Sequence, residues 1–278
     1  MGEWLTLTRG TAPLLLVLPH TGMSIPDACV GDSRSPWLAR KDADWWIDQL
    51  YEFASKPPIN ASILRTSISR SIIDVNRDPT GASLYPGQAT TELCPLTSFD
   101  GERLYRAGCE PSATMIAHRT QSYFAPYHAT LASELTRLRQ LHGAVVLYDG
   151  HSIRSVIPRL FAGTLPELNI GSNDGATCAP ELTASIATLC EDAGRSSIVN
   201  GRFKGGWTTR HHADPVQDIH CVQMELACRA YLREPLGPVT EATWPPPYDP
   251  AFAASTQQIL FNILQLCVNF AQAKGAVS

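Results

Sequence analysis

The sequence predicts a single α/β domain over residues 1–278, built on a mixed, mostly parallel central sheet flanked by helices. Two observations carry that expectation. Short apolar runs such as Leu14-Leu15-Leu16-Val17 and Ala144-Val145-Val146-Leu147 alternate with longer amphipathic stretches, as buried strands alternate with helices. A chain of 278 residues that is 44% hydrophobic is also long enough to bury one large core.

Each element has its own reason. Residues 13–18 form a central strand that ends at His20, and residues 144–149 form a second that ends at His151. Between them, Asp42 to Phe53 places Trp46, Leu50 and Phe53 at helical spacing. That helix opens with Asp42, Asp44 and Asp48, carboxylates favoured at a positive amino end. Residues 61–75, rich in Ile and Ser, hold one or two further strands. A helix over about 115–141 is bent or interrupted at Pro126, because proline removes a backbone donor. Leu182, Ile186 and Leu189 mark a helix after Pro180, and residues 219–232 read as a strand-like apolar run. Ile259, Leu260, Ile263, Leu264 and Val268 stripe a closing helix over residues 251–273, which should pack back on the sheet. The piece "WPPPYDP" before it reads as a surface loop, and there is no repeat, low-complexity tract or interdomain linker.

Composition excludes several classes of function. The 22 basic and 26 acidic residues leave a net charge of −4, which supplies no footprint for nucleic acid or an anionic membrane. No apolar run approaches the roughly 18 to 20 residues of a membrane span, and no signal peptide is evident, so a cytoplasmic protein is expected. The 8 cysteines lack any C-x-x-C pair and read as reduced thiols rather than a structural zinc site or a disulfide framework. A small-molecule partner is expected, and oligomeric state is not legible.

The chemistry gathers at strand ends. In an open α/β sheet, ligands bind where loops leave the carboxyl ends of neighbouring strands. His20 in "LPHTG" and His151 in "YDGHS" both stand there, next to or one residue from a glycine. Paired imidazoles point to one divalent metal ion, with zinc favoured by ligand type, and a catalytic site of that kind needs a third protein ligand. Asp42 suits helix capping, Asp44 faces the crevice and is the candidate ligand, and Asp48 stays open as an alternative. In "SRSIIDVNRDPTG", strand alternation sets Asp74 and Asn76 on one face and Arg77 on the other. Arg70 and Arg77 are forked cations suited to carboxylates, and Asp74 could satisfy one of them internally. The glycine-rich stretch "NGRFKGGWTTRHHADP" offers Arg202, Lys204, Arg210 and His211 on a loop that reads as a binding segment. Glu225, in the apolar run "VQMELA", is costly to bury unless paired or used with a raised pKa, which makes it the candidate general base.

The blocks "LPHTG", "DADWW", "SRSIIDVNR", "YFAPYH", "YDGHSI", "NGRFKGGWTTRHH" and "VQMELA" together resemble the N-formylglutamate amidohydrolase (N-formylglutamate deformylase) family over roughly residues 13 to 235. The resemblance implies a zinc-carboxypeptidase-like fold and release of formate from N-formyl-L-glutamate in histidine degradation. It implies a metal on His20, Asp44 and His151, Glu225 as general base, and Arg77 beside Asn76 as a carboxylate clamp. Arg70 or Arg202 would hold the second carboxylate, and Arg210 or Arg154 would stabilise the oxyanion. The carboxypeptidase H-x-x-E spacing is missing, since Met23 stands three residues after His20. A relative acting on another N-acyl acidic amino acid or short peptide, or a non-catalytic amino-acid binder of the same fold, are the alternatives.

Overall fold

The computed structural model describes residues 3–276. Strands β1 (Leu5–Thr8), β2 (Leu14–Leu18), β3 (Ser62–Thr66), β4 (Val145–Ile153), β5 (Leu168–Gly171), β6 (Ser197–Val199) and β7 (Ile219–Ala227) form one sheet in the order β1-β3-β2-β4-β7-β5-β6. Pairing is parallel from β3 through β2 and β4 to β7, while β1 runs antiparallel to β3 and β5 antiparallel to β7. The mixed, mostly parallel sheet is therefore present.

The helices are α1 (Asp27–Val30), α2 (Ile47–Leu50), α3 (Ala113–Arg119), α4 (Ala125–His142), α5 (Pro180–Asp192), α6 (Trp207–His212) and α7 (Pro250–Gly275). Residues of β2 are buried on both faces, as a parallel strand covered on two sides requires. Leu14, Leu16 and Leu18 join Val146, Tyr148, Val222 and Met224 against α5 and α7, including Ile186, Leu260, Ile263 and Leu264. Leu15 and Val17 join Val145, Leu147 and Cys221 against Leu131, Leu135 and Leu138 of α4. Along β4 and β7 this second face continues past the apolar residues into Asp149, His151, Gln223 and Glu225. The period of two thus turns core into site without a change of strand.

Several expectations need correction. The helix over Asp42 to Phe53 shrinks to α2 and a 3-10 turn, Glu52–Ser55, because Trp46 takes φ 63 and breaks the run. Of the one or two strands expected within 61–75, one forms, β3. From Ser67 onward, backbone and side chains bond to turns and distant loops, for example the Asp74 N–H to Leu93 O at 2.7 Å and Ser69 Oγ to Ala39 O at 2.5 Å. Asp74 and Asn76 are consequently placed by a turn, in which the Asn76 N–H donates to Asp74 Oδ1 at 2.9 Å, and not by strand alternation. The "WPPPYDP" piece is not wholly at the surface. Trp244 is buried and donates to Lys41 O at 2.9 Å, and Pro246 O accepts from the indole of Trp46 at 2.9 Å.

The bend before Pro126 is a π-helical turn, Thr120–Phe124, that joins α3 to α4. By length and composition α7 could cross a membrane, which the sequence reading did not recognise. Its apolar stripe is instead buried on β2, β4 and α5. All 8 cysteines are free thiols.

Candidate metal centre and active-site cavity

His151 lies inside β4, not in the loop after it, because β4 runs on to Ile153. Parallel register then sets His151 directly beside Glu225 of β7. His20 arrives from the turn two residues past β2, and Asp44 follows because its backbone N–H donates to His20 O at 2.9 Å. One ligand atom from each of His20, Asp44 and His151 lies within 4.8 Å of the others, and all three residues are buried.

Hydrogen bonding fixes what these rings present. His20 Nε2 donates to Asp74 Oδ1 at 2.7 Å and His151 Nε2 donates to Asp149 Oδ1 at 2.8 Å. Each ring therefore keeps its lone pair on Nδ1. Those atoms face Asp44 Oδ2, at 3.7 Å from His20 and 3.2 Å from His151. His20 Nδ1 has no hydrogen-bond partner among the described residues although it is buried. Two imidazole lone pairs and a carboxylate oxygen in mutual contact repel unless a cation sits among them, so the donor set fits a divalent metal. The charge balance agrees. Burial opposes ionisation of Asp44, yet the adjoining imidazoles of His151 and His20 hold its carboxyl below the usual carboxylate range. Burial opposes protonation of His151, yet Asp149 and Asp44 hold its imidazole well above the usual range.

Glu225 is the other perturbed group. Burial pushes its carboxyl up to about 8, with His151 and Arg70 pulling down and Asp44 and Asp149 pushing up. Among the described residues its side chain receives one hydrogen bond, from Gln223 Nε2 at 3.4 Å.

His20, His151 and Glu225 floor a cavity of about 240 Å³ whose walls carry Arg70, Arg77 and Arg202. Arg70 donates to Asp74 Oδ2 at 2.8 Å and reaches Asp44 Oδ1 at 3.5 Å, so it leans over the metal group. Arg77 spends Nε and Nη2 on Thr91 and Nη1 on Asn76 O. Arg202 spends Nε on Leu160 O and Nη2 on Ala89 O, and its Nη1 has no partner among the described residues. Asn76 packs its amide nitrogen against His151 Nε2 at 2.9 Å and accepts from the Thr208 N–H at 2.8 Å, so it abuts the ring as well as lining the cavity.

Three other candidates do not reach the cavity. Arg210 donates to Gly205 O and Leu84 O and stacks behind the ring of Tyr85. His211 is exposed and stacked on Trp207 at 4.6 Å. Arg154 is taken up by Asp100 at 2.7 Å and Asp42 at 3.5 Å. Of the other two aspartates, Asp42 accepts from the Phe99 N–H at 2.7 Å, and Asp48 is at the surface with Arg65. Sequence reasoning passed over Asp149 and Gln223. Each stands two residues before a chosen residue on the same strand, so the period of two carried the signal.

Three facing ligand atoms that could hold a metal ion, a buried carboxylate beside them and an arginine-walled cavity make a candidate hydrolytic centre at the edge of the α/β core. A family model described as N-formylglutamate amidohydrolase matches residues 12–232, and the chain belongs to that family. It is 41% identical to N-formylglutamate deformylase of Pseudomonas putida over 266 residues, covering 95% of this chain and 96% of that protein. It is 44% identical to N-formylglutamate deformylase of Pseudomonas aeruginosa over 235 residues, covering 84% and 87%. In fold it is similar to the crystal structure of N-formylglutamate amidohydrolase from Ralstonia eutropha JMP134, with TM-score 0.77 at 21% identity over 99% of each chain.

Proposed function

We propose that this protein hydrolyses N-formyl-L-glutamate to formate and L-glutamate in the cytoplasm, in histidine degradation, with one divalent metal ion, zinc, on His20, Asp44 and His151. The observation that carries the reading is the pairing of that ligand group with Glu225 at the base of an arginine-lined cavity. Two relatives named N-formylglutamate deformylase, each matched over most of both chains, support the substrate. The 8 free thiols suit a reducing compartment. The cavity, about 240 Å³, is below the roughly 300–1,000 Å³ of drug-sized pockets and suits one small amino-acid derivative.

When bound, the cation supplies Lewis acidity at the formyl carbonyl and lowers the pKa of water toward about 7. The chain's residues supply the remaining chemistry. Glu225 takes the proton from the attacking water and returns it to the departing amine, a task suited to a carboxyl whose pKa burial has raised to about 8. Arg70 presents positive charge where the carbonyl oxygen becomes anionic, a role that fits its place over Asp44 better than Arg210 or Arg154. Arg202 and Arg77 hold the two carboxylates, so the scissile bond is positioned as well as bound.

The test is formate release from N-formyl-L-glutamate by the purified protein, compared with N-formyl-L-aspartate, alongside elemental analysis. In the Glu225→Gln variant kcat should fall by roughly 10²- to 10⁴-fold while metal content and melting temperature stay near wild type. Near-normal kcat in a metal-loaded variant would remove Glu225 from the mechanism.

A further inference from the structure

We infer that Gln223 is a positioning residue that orients Glu225, an inference that rests on the general-base reading given above. Gln223 and Glu225 are two residues apart on β7 and share the face that opens on the cavity. Both are buried. The backbone N–H of Gly206 donates to Gln223 Oε1 at 2.7 Å. Only the oxygen of the amide can accept that bond, so its orientation is decided and Nε2 must face the other way. There it meets Glu225 Oε2 at 3.4 Å, in the one hydrogen bond that the carboxyl group receives among the described residues.

The far end of this linkage is also held. A Cβ built on Gly206 would lie 2.4 Å from both Nδ2 and Oδ1 of Asn76, so only glycine allows the backbone so near. Asn76 in turn touches His151 Nε2 at 2.9 Å and accepts from the Thr208 N–H at 2.8 Å. Gln223 is therefore the piece through which the turn at Gly205-Gly206 sets the carboxyl of Glu225, while Asn76 packs between that turn and the ring of His151. A carboxylate held by a single donor swings when the donor goes, and small errors of aim cost proton transfer more than they cost binding.

Two variants separate this role from a structural one. Gln223→Met removes both bonds at similar length, while Gln223→Glu keeps an acceptor for the Gly206 N–H and, at alkaline pH, replaces the donor to Glu225 by a second carboxylate that repels it. Positioning predicts that both lose kcat by about 10- to 100-fold, with KM within about twofold and metal content unchanged. It also predicts that in a Glu225→Gln background neither substitution lowers kcat further, since the group being aimed is gone. If Gln223→Glu keeps wild-type kcat, or if the losses multiply in the Glu225→Gln background, the proposal is overturned and Gln223 only anchors the turn. If Glu225→Gln itself keeps normal kcat, the base assignment fails first, a result distinct from the other two, and positioning falls with it. Should Gln223→Met fail to fold, Gln223→Glu and its double variant decide the matter.

Discussion

Arg202 and Arg77 both line the cavity, but they are not equivalent. Arg77 is committed to Thr91 and Asn76 through all three nitrogens, whereas Arg202 leaves Nη1 without a partner among the described residues. Burial lowers the pKa of Arg202 and its neighbour Arg77 lowers it further, so an arriving carboxylate relieves a strained charge. Arg202→Leu should raise KM by about 2 kcal/mol with kcat little changed, the pattern of lost uniform binding. Steady-state kinetics check it, and an unchanged KM in a folded variant would remove Arg202 from the pair of carboxylate clamps. For the ligand rings, His151→Ala removes a lone pair that no neighbour replaces. Elemental analysis should find metal lost, with fold retained in circular dichroism.

At the scale of elements, the segment over residues 78–92 walls the cavity without regular structure and is tied down by Tyr85. The Tyr85 hydroxyl donates to Gly205 O at 2.9 Å and accepts from the Lys204 N–H at 3.1 Å. Its ring lies between the guanidinium groups of Arg202 and Arg210, 5.3 Å and 5.0 Å from their carbons. This is where Arg210 acts, as a brace behind the wall. Tyr85→Phe keeps the ring contacts and loses both hydrogen bonds, which should weaken the tether by about 1 kcal/mol or more. Faster limited proteolysis within 78–92 and a raised KM are expected. Equal cleavage rates in the two proteins would show that the stacked ring alone holds the segment.

For the whole molecule, acid sensitivity follows from a histidine pair away from the cavity. His128 Nε2 donates to Val75 O at 2.8 Å, and His128 Nδ1 accepts from His212 Nε2 at 2.8 Å, an arrangement that needs the His128 ring neutral. Burial lowers their pKa values to about 4 and about 3. In the unfolded chain both rings take protons near about 6.5, so below that pH the unfolded state binds more protons and is favoured. The contribution of the pair is complete above about pH 7 and is lost progressively as pH falls toward about 4. Denaturant titrations at about pH 7.5 and about pH 5 should show a lower midpoint at the acid value, and a smaller drop in His212→Asn. Removal of the metal acts on the same balance, since a ligand that binds only the folded state stabilises it by mass action. Chelator should lower the melting temperature, and readdition of zinc should restore it.

Much of this was legible in one dimension. The sequence by itself determined the α/β class, the buried strands that carry His20, His151 and Glu225, and the family, because local periodicity and short motifs need no knowledge of distant partners. The third member of the ligand group was not legible in that way. Asp42, Asp44 and Asp48 sit within one short stretch, and only the contact of Asp44 with His151, 107 residues away, separates them. The arginines divide for the same reason. Arg70, Arg77 and Arg202 line the cavity while Arg154, Arg210 and the nearby His211 turn elsewhere, because each long side chain settles on whichever carbonyl, carboxylate or ring the fold brings within reach. Apolar strands are set by neighbouring residues, but how far β4 runs on beside β7 and which partners the charged side chains find are set by chain crossings, which only the tertiary structure decides.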